Sequence, residues 1–212
     1  MKSLKITTLA ATLLTMGVVS QHAAADLSAN VGVVSQYHFR GIQQTTGASA
    51  SAGLDYANGG FYAGVWTADV ADGLEIDGYF GYDIETEAGL TLGANYTTYQ
   101  YTGDFDSAYN EIGLSAGMGK FSLGYVAGKW DGVVGDEAAT ESDYSLLTLG
   151  FEHEGFSLTF GTYGKDTDGE YGELSYGTEI GGFDVGVTLV VSGSELDNDE
   201  ALYFSLSKSF DL

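Results

Sequence analysis

Apolar and polar residues alternate with a period of two along nearly the whole chain. The clearest run sets Leu74, Ile76, Gly78, Phe80, Tyr82 and Ile84 against Glu75, Asp77, Tyr79, Gly81, Asp83 and Glu85. The pattern returns in Phe183, Val185, Val187, Leu189 and Val191, in Phe121, Leu123 and Tyr125, and in Phe156, Leu158 and Phe160. Successive side chains of a strand point to opposite faces, so this spacing predicts strands with one continuous apolar face. The alternation predicts twelve strands, at about 28–40, 49–57, 61–69, 74–85, 90–101, 108–117, 120–130, 143–153, 156–164, 171–180, 183–192 and 201–212. Each holds roughly 10 residues, the length that a tilted transmembrane strand needs.

The connections alternate too. Five are tight: Asn58-Gly59-Gly60, Thr86-Glu87-Ala88-Gly89, Gly117-Met118-Gly119, Glu154-Gly155 and Gly181-Gly182. Most of the others are long and acidic, from Asp69 and Asp72 through to Glu195, Asp197, Asp199 and Glu200; the exception, Gln43 to Ala48, is polar and neutral. The long connections carry 16 of the 30 acids, which separates a short-turn side from a charged side. Short turns at one end and long polar loops at the other are the layout of an outer-membrane barrel. The expected fold is therefore all-β: one transmembrane antiparallel up-and-down barrel of about twelve strands, with both termini on the periplasmic, short-turn side. In a soluble barrel or sandwich the continuous apolar face would be buried. Here the opposite face carries the charge, which is the inside-out arrangement.

The first 25 residues change the boundaries. Lys2 and Lys5 precede an uncharged apolar stretch from Ile6 to Val19, and Ala23 and Ala25 fit an A-x-A cleavage site. The stretch falls short of the roughly 20 residues of a membrane helix. A secretory signal peptide is expected at 1–25 and the barrel at 26–212. Its removal takes two Lys and no acid from a net charge of −23, and the more acidic remainder repels nucleic acid. Cysteine is absent, so disulfides and thiolate metal sites are excluded. Proline is absent and glycine reaches 32, which suits a chain built of ladders and tight turns. On the last strand Leu202, Phe204, Leu206, Phe210 and Leu212 share one face, an apolar ending of the kind read by the barrel-assembly machinery. Lys208 falls on the same face, where it must reach the interface to be tolerated.

The segment Ser35-Gln36-Tyr37-His38-Phe39-Arg40-Gly41-Ile42-Gln43-Gln44-Thr45 resembles the N-terminal signature S-x-Y-x-F-R-G-x-x-Q-T of the TorF family of proteobacterial outer-membrane porins. Phe61 to Trp66 and Glu75 to Tyr79 resemble the following segments, so the resemblance covers about residues 26–85. It implies a proteobacterial outer-membrane protein with porin function; contact with outer-membrane lipid and, through the acidic loops, lipopolysaccharide is expected beside it, and no cofactor is expected.

Alternation then assigns the lumen. On the first strand Val31, Val33, Tyr37 and Phe39 are expected to face lipid, and Gln36, His38 and Arg40 to face inward. The other pore-lining candidates are Glu75, Asp77, Tyr79, Glu111, Lys165 and Glu173. Rings of carboxylates favour cations, so the expected function is passive diffusion of small cationic or neutral solutes through a cation-selective lumen. The alternative is a closed structural or adhesive barrel whose acidic extracellular loops do the work. Small inward residues such as Ser51, Ser157 and Ser205 favour an open, narrow pore. Arg40, the only Arg of the chain, is expected opposite Glu75 and Asp77, either as a clasp or, preferred, as a filter element. No Ser-His arrangement with catalytic placement is expected, since His153 lies at the wrong end, and an acid-His site of His38 with Asp69, Glu75 or Asp77 would need the tall extracellular cup of longer strands. Asp166 to Glu170 departs from the calcium-loop spacing. The sequence leaves open whether Gly132–Ser142 folds inward. Mass spectrometry of the exported protein should give a mature chain starting at Asp26; a chain starting at Met1 would contradict the expected cleavage.

Overall fold

The computed structural model describes residues 26–133, 139–197 and 199–212. The signal-peptide expectation lies outside these residues, as does part of the Gly132–Ser142 connection. Fourteen strands follow in order: β1 (Asp26–Val34), β2 (His38–Phe39), β3 (Ile42–Gln43), β4 (Ser49–Asn58), β5 (Phe61–Asp69), β6 (Leu74–Glu85), β7 (Leu90–Tyr101) and β8 (Tyr109–Met118). They continue with β9 (Phe121–Trp130), β10 (Ser142–His153), β11 (Phe156–Lys165), β12 (Glu170–Ile180), β13 (Phe183–Ser192) and β14 (Glu200–Asp211).

Twelve of them, β1 and β4 to β14, form a closed antiparallel barrel in which each strand pairs with its neighbours in sequence. Closure runs along β1 and β14, where Val33 faces Leu206 and Asn30 faces Ser209. The closed ladder leaves the wall of the barrel no strand edge to satisfy. Two-residue and four-residue turns join β4–β5, β6–β7, β8–β9, β10–β11 and β12–β13 at one end. Both described termini lie there, with the Leu212 amide donating to Leu27.

Alternation sorts the two faces as the sequence pattern requires. On the outside Ile112 is 61% and Phe204 59% exposed, whereas inward Glu75 and Asp77 are 1% exposed. A water-soluble barrel has the opposite distribution. Lys208 keeps its register opposite Val31 and lies on the outer face, its ammonium 4.9 Å from the Phe183 ring and 5.5 Å from Phe210. Both rings mark the short-turn rim, so the lysine reaches the edge of the apolar belt.

The first strand ends at Val34, not at residue 40. The Ser35 amide donates to Phe204 and its hydroxyl accepts from the Phe204 amide, and the chain then leaves the wall. Residues 35–48 turn into the barrel and carry β2 and β3 as a hairpin. Tyr37 and Phe39, expected on the outside, are therefore inside, with Tyr37 against Trp66 and Phe39 against Tyr99. The physical reason is space. Eight strands are filled by their own side chains and sixteen leave a channel, so twelve leave room that apolar rings can occupy. Because the ladder is closed, unboiled protein should run faster than boiled protein on a detergent gel. Identical mobility would argue against a closed barrel.

Candidate functional site

The hairpin turns on two residues. Phe39 pairs with Ile42, and between them Arg40 and Gly41 have φ of 52° and 84°. A two-residue turn with both central residues left-handed matches the twist of a hairpin. Gly41 suits it, and a Cβ there would also lie 2.5 Å from Tyr171 Cβ. Arg40 is a side-chain-bearing residue in a region that costs such residues about 1–3 kcal/mol. Surrounding contacts must over-determine it.

They do. Arg40 Nη1 and Nη2 donate to the two Glu111 carboxylate oxygens at 2.5 and 3.1 Å, a bidentate pair. The Tyr163 hydroxyl donates to the Arg40 carbonyl at 3.2 Å. Glu111 also accepts from Tyr99 at 2.9 Å and Tyr144 at 2.6 Å, so its carboxylate takes four hydrogen bonds. Closer to the root of the hairpin the Tyr37 hydroxyl donates to Glu75 at 2.9 Å, and Tyr101 donates to the other Glu75 oxygen at 3.2 Å. The Tyr37 amide donates to Thr45 Oγ1, and its carbonyl accepts from the Gln44 and Thr45 amides. From the loops, Asp197 accepts from the Gln43 amide at 2.5 Å. His38 stacks on Tyr203 with ring centres 5.4 Å apart, and its Nε2 is buried without a partner among the described residues. Burial holds this imidazole below its ordinary titration range, against the pull of Asp197 and Asp199.

Below the hairpin the lumen changes character. Inward positions toward the loop end are large, as Tyr144, Tyr171 and Tyr203 show. Further along the same strands they become Thr148, Ser175, Ser205 and Ser207. The small half encloses a cavity of about 440 Å³ that reaches Glu85, Lys120 and Glu152 at the short-turn mouth and ends under Tyr37, His38, Phe39 and Arg40.

The expected lining residues divide accordingly. Gln36, His38 and Arg40 border the cavity, but from the hairpin rather than from a strand. Glu173 borders it from β12. Glu111 and Glu75 are committed to Arg40 and to tyrosines, and Asp77 is buried with Oδ1 unpartnered among the described residues. Arg40 thus meets Glu111, not the expected Glu75 or Asp77. Tyr79 donates to Asp55. Lys165 is at the rim, left-handed at φ 70° and 3.9 Å from exposed Asp143, so it is not in the lumen. It ends β11 paired with Tyr144, and its left-handed backbone turns the side chain away from the alternation. The residues missed were Tyr37, Phe39 and Trp66. The available signal was Arg40-Gly41, a turn dipeptide flanked by apolar pairs.

Closed twelve-stranded antiparallel barrels with an apolar exterior define the class. The sequence profile of the family described as bacterial protein of unknown function (Gcw_chp) matches residues 19–206, and the chain belongs to that family. No curated protein matches. Among solved structures, one from a study of the in-meso crystallization of membrane proteins is similar with a TM-score of 0.61 at 12% identity, covering 88% of this chain and 84% of that one. OpdK of Pseudomonas aeruginosa, solved with vanillate, gives a TM-score of 0.42 at 14% identity, covering 80% of this chain and 58% of its own. OprD of the same organism gives 0.40 at 10%, covering 88% and 65%. The chain thus spans less than two thirds of OpdK and OprD, and the likeness of fold rests on the first structure.

Replacing Arg40 by Gln leaves Glu111 as a buried carboxylate without its cation, a loss of about 3–5 kcal/mol. Urea unfolding in lipid vesicles should show that loss, and the Arg40→Gln/Glu111→Gln pair should recover part of it. Strictly additive losses would show that the two side chains do not interact.

Proposed function

We propose that this protein is a porin-like channel of the Gram-negative outer membrane, drawn here in a closed state in which the 35–48 hairpin plugs the loop end. It passes small cationic or neutral solutes by passive diffusion, and no reaction is assigned to it. One observation carries the reading: a cavity runs from the short-turn mouth and stops at an inserted hairpin held largely by polar side-chain contacts, which water can replace if the hairpin withdraws. The apolar belt supports a membrane setting, because lipid-exposed backbone must be paired within a closed barrel. The TorF-like signature, which coincides with the hairpin, supports the porin reading. So does the expected signal peptide, together with an apolar last strand suited to the assembly machinery. Carboxylates in excess over Arg40 support cation preference. In the outer leaflet the acidic loops would meet lipopolysaccharide through shared divalent cations.

The closed structural or adhesive barrel is the second reading, favoured by the completeness of the hairpin's hydrogen bonding. Planar-bilayer recording separates the two. Wild type should give rare, small steps. A variant with residues 36–47 replaced by two glycines should give larger, steady steps whose reversal potential favours cations. A folded deletion variant that stays silent would leave the structural reading in place. Recovery of the wild type as a soluble periplasmic protein would remove both.

A further inference from the structure

One acid at the level of the hairpin has no hydrogen-bond donor among the described residues. Glu173 projects from β12 into the roof of the cavity and is 5% exposed. Among the described residues it makes no hydrogen bond and no ion pair. Its neighbours in function are occupied or turned away. Arg40 Nη1 and Nη2 are taken by Glu111, so the guanidinium reaches Glu173 only through space, Glu75 is held by Tyr37 and Tyr101, and Asp77 does not border the cavity. An almost fully buried carboxylate that faces an open space rather than a donor is costly unless it takes a proton or a cation in that space compensates it.

The surroundings narrow what that something is. Tyr171 precedes Glu173 by two residues on the same face of β12. Tyr203 projects from β14, and Phe39 closes the roof from the hairpin; all three border the cavity. Thr159 lies opposite Glu173 on β11. A hydrated metal ion needs several oxygen ligands, which this aromatic roof does not supply. Anions are opposed by Glu173 and, at the mouth, by Glu85 and Glu152, which outnumber Lys120 there, while the Arg40 charge is paired with Glu111. An organic ammonium ion fits these features: the carboxylate takes the charge, the aromatic side chains that border the roof take the alkyl groups by apolar contact, and about 440 Å³ admits a compact amine. We infer that the roof of the cavity is a binding site for a small organic ammonium ion, with Glu173 as counter-charge and Tyr171 and Tyr203 as aromatic walls. This rests on the channel reading only in that the solute enters by the short-turn mouth.

The test uses the mature, refolded barrel in detergent and calorimetric titration at low ionic strength. Tetramethylammonium chloride should bind, and sodium chloride, glucose and the uncharged tert-butanol should not. Glu173→Gln should bind tetramethylammonium at least about tenfold more weakly while keeping its heat-dependent gel shift. Should that variant not fold, Tyr171→Leu in its place should also weaken binding while Glu173→Asp retains it. Equal binding of tetramethylammonium and tert-butanol, or unchanged binding by a folded Glu173→Gln, would overturn the site. A barrel that binds the ammonium ion but never conducts would keep the site and remove the channel. One that conducts without binding would do the reverse.

Discussion

The width of a twelve-stranded ladder governs the rest of this molecule. Without cysteine, and with no helix among the described residues, its order comes from pairing every strand of the wall around to the β1–β14 seam. That closure fixes a lumen broader than the wall's own side chains fill. Half of the space is taken by a hairpin drawn from the first connection, and the other half stays as a cavity. Size thus divides the lumen into a packed end and an open end, and the division falls where the inward residues change from tyrosine to serine and threonine.

Packing alone does not explain the hairpin's chemistry. Its tip is the single Arg, placed in a left-handed conformation and delivered to a carboxylate already held by two tyrosine hydroxyls. A buried guanidinium and a buried carboxylate are each unfavourable alone, and only the bidentate pair with its added hydrogen bonds makes both tolerable. The contact is therefore strong in place and vulnerable once either partner moves. The residues that carry the TorF resemblance are these same parts: Ser35 at the root, Tyr37 and Phe39 on the inner face, Arg40 and Gly41 at the turn, Gln44 and Thr45 closing the return.

Most of the wall was legible because a period of two leaves no freedom. From Ser49 to Asp211 the expected strands agree with the observed ones to within a residue or two, and the inward placement of Glu75, Asp77, Glu111 and Glu173 follows from counting alone. The hairpin was not legible for the same reason. Val31 and Val33 are followed in phase by Tyr37 and Phe39, so the pattern runs on across Ser35 although the backbone does not. Alternation reports that one face is apolar, not whether that face meets lipid outside or rings inside. Lys165 differs for another reason: it is the last residue of its strand and still pairs with Tyr144, but its left-handed φ breaks the alternation. The partner of Arg40 was beyond reach too, since Glu75 and Glu111 alternate equally well and only the three-dimensional course of the hairpin chooses between them.

Whether residues 35–48 fill the lumen in a bilayer-like setting is the point on which the account turns, and solution NMR of the isotope-labelled barrel in detergent micelles reads it directly. With the hairpin in place, nuclear Overhauser contacts join Gly41 to the Tyr171 ring and His38 to the Tyr203 ring, and the Tyr37 and Gln44 amides are slow to exchange. Absence of those contacts, with fast exchange across 36–47 while the strand amides stay protected, would contradict it.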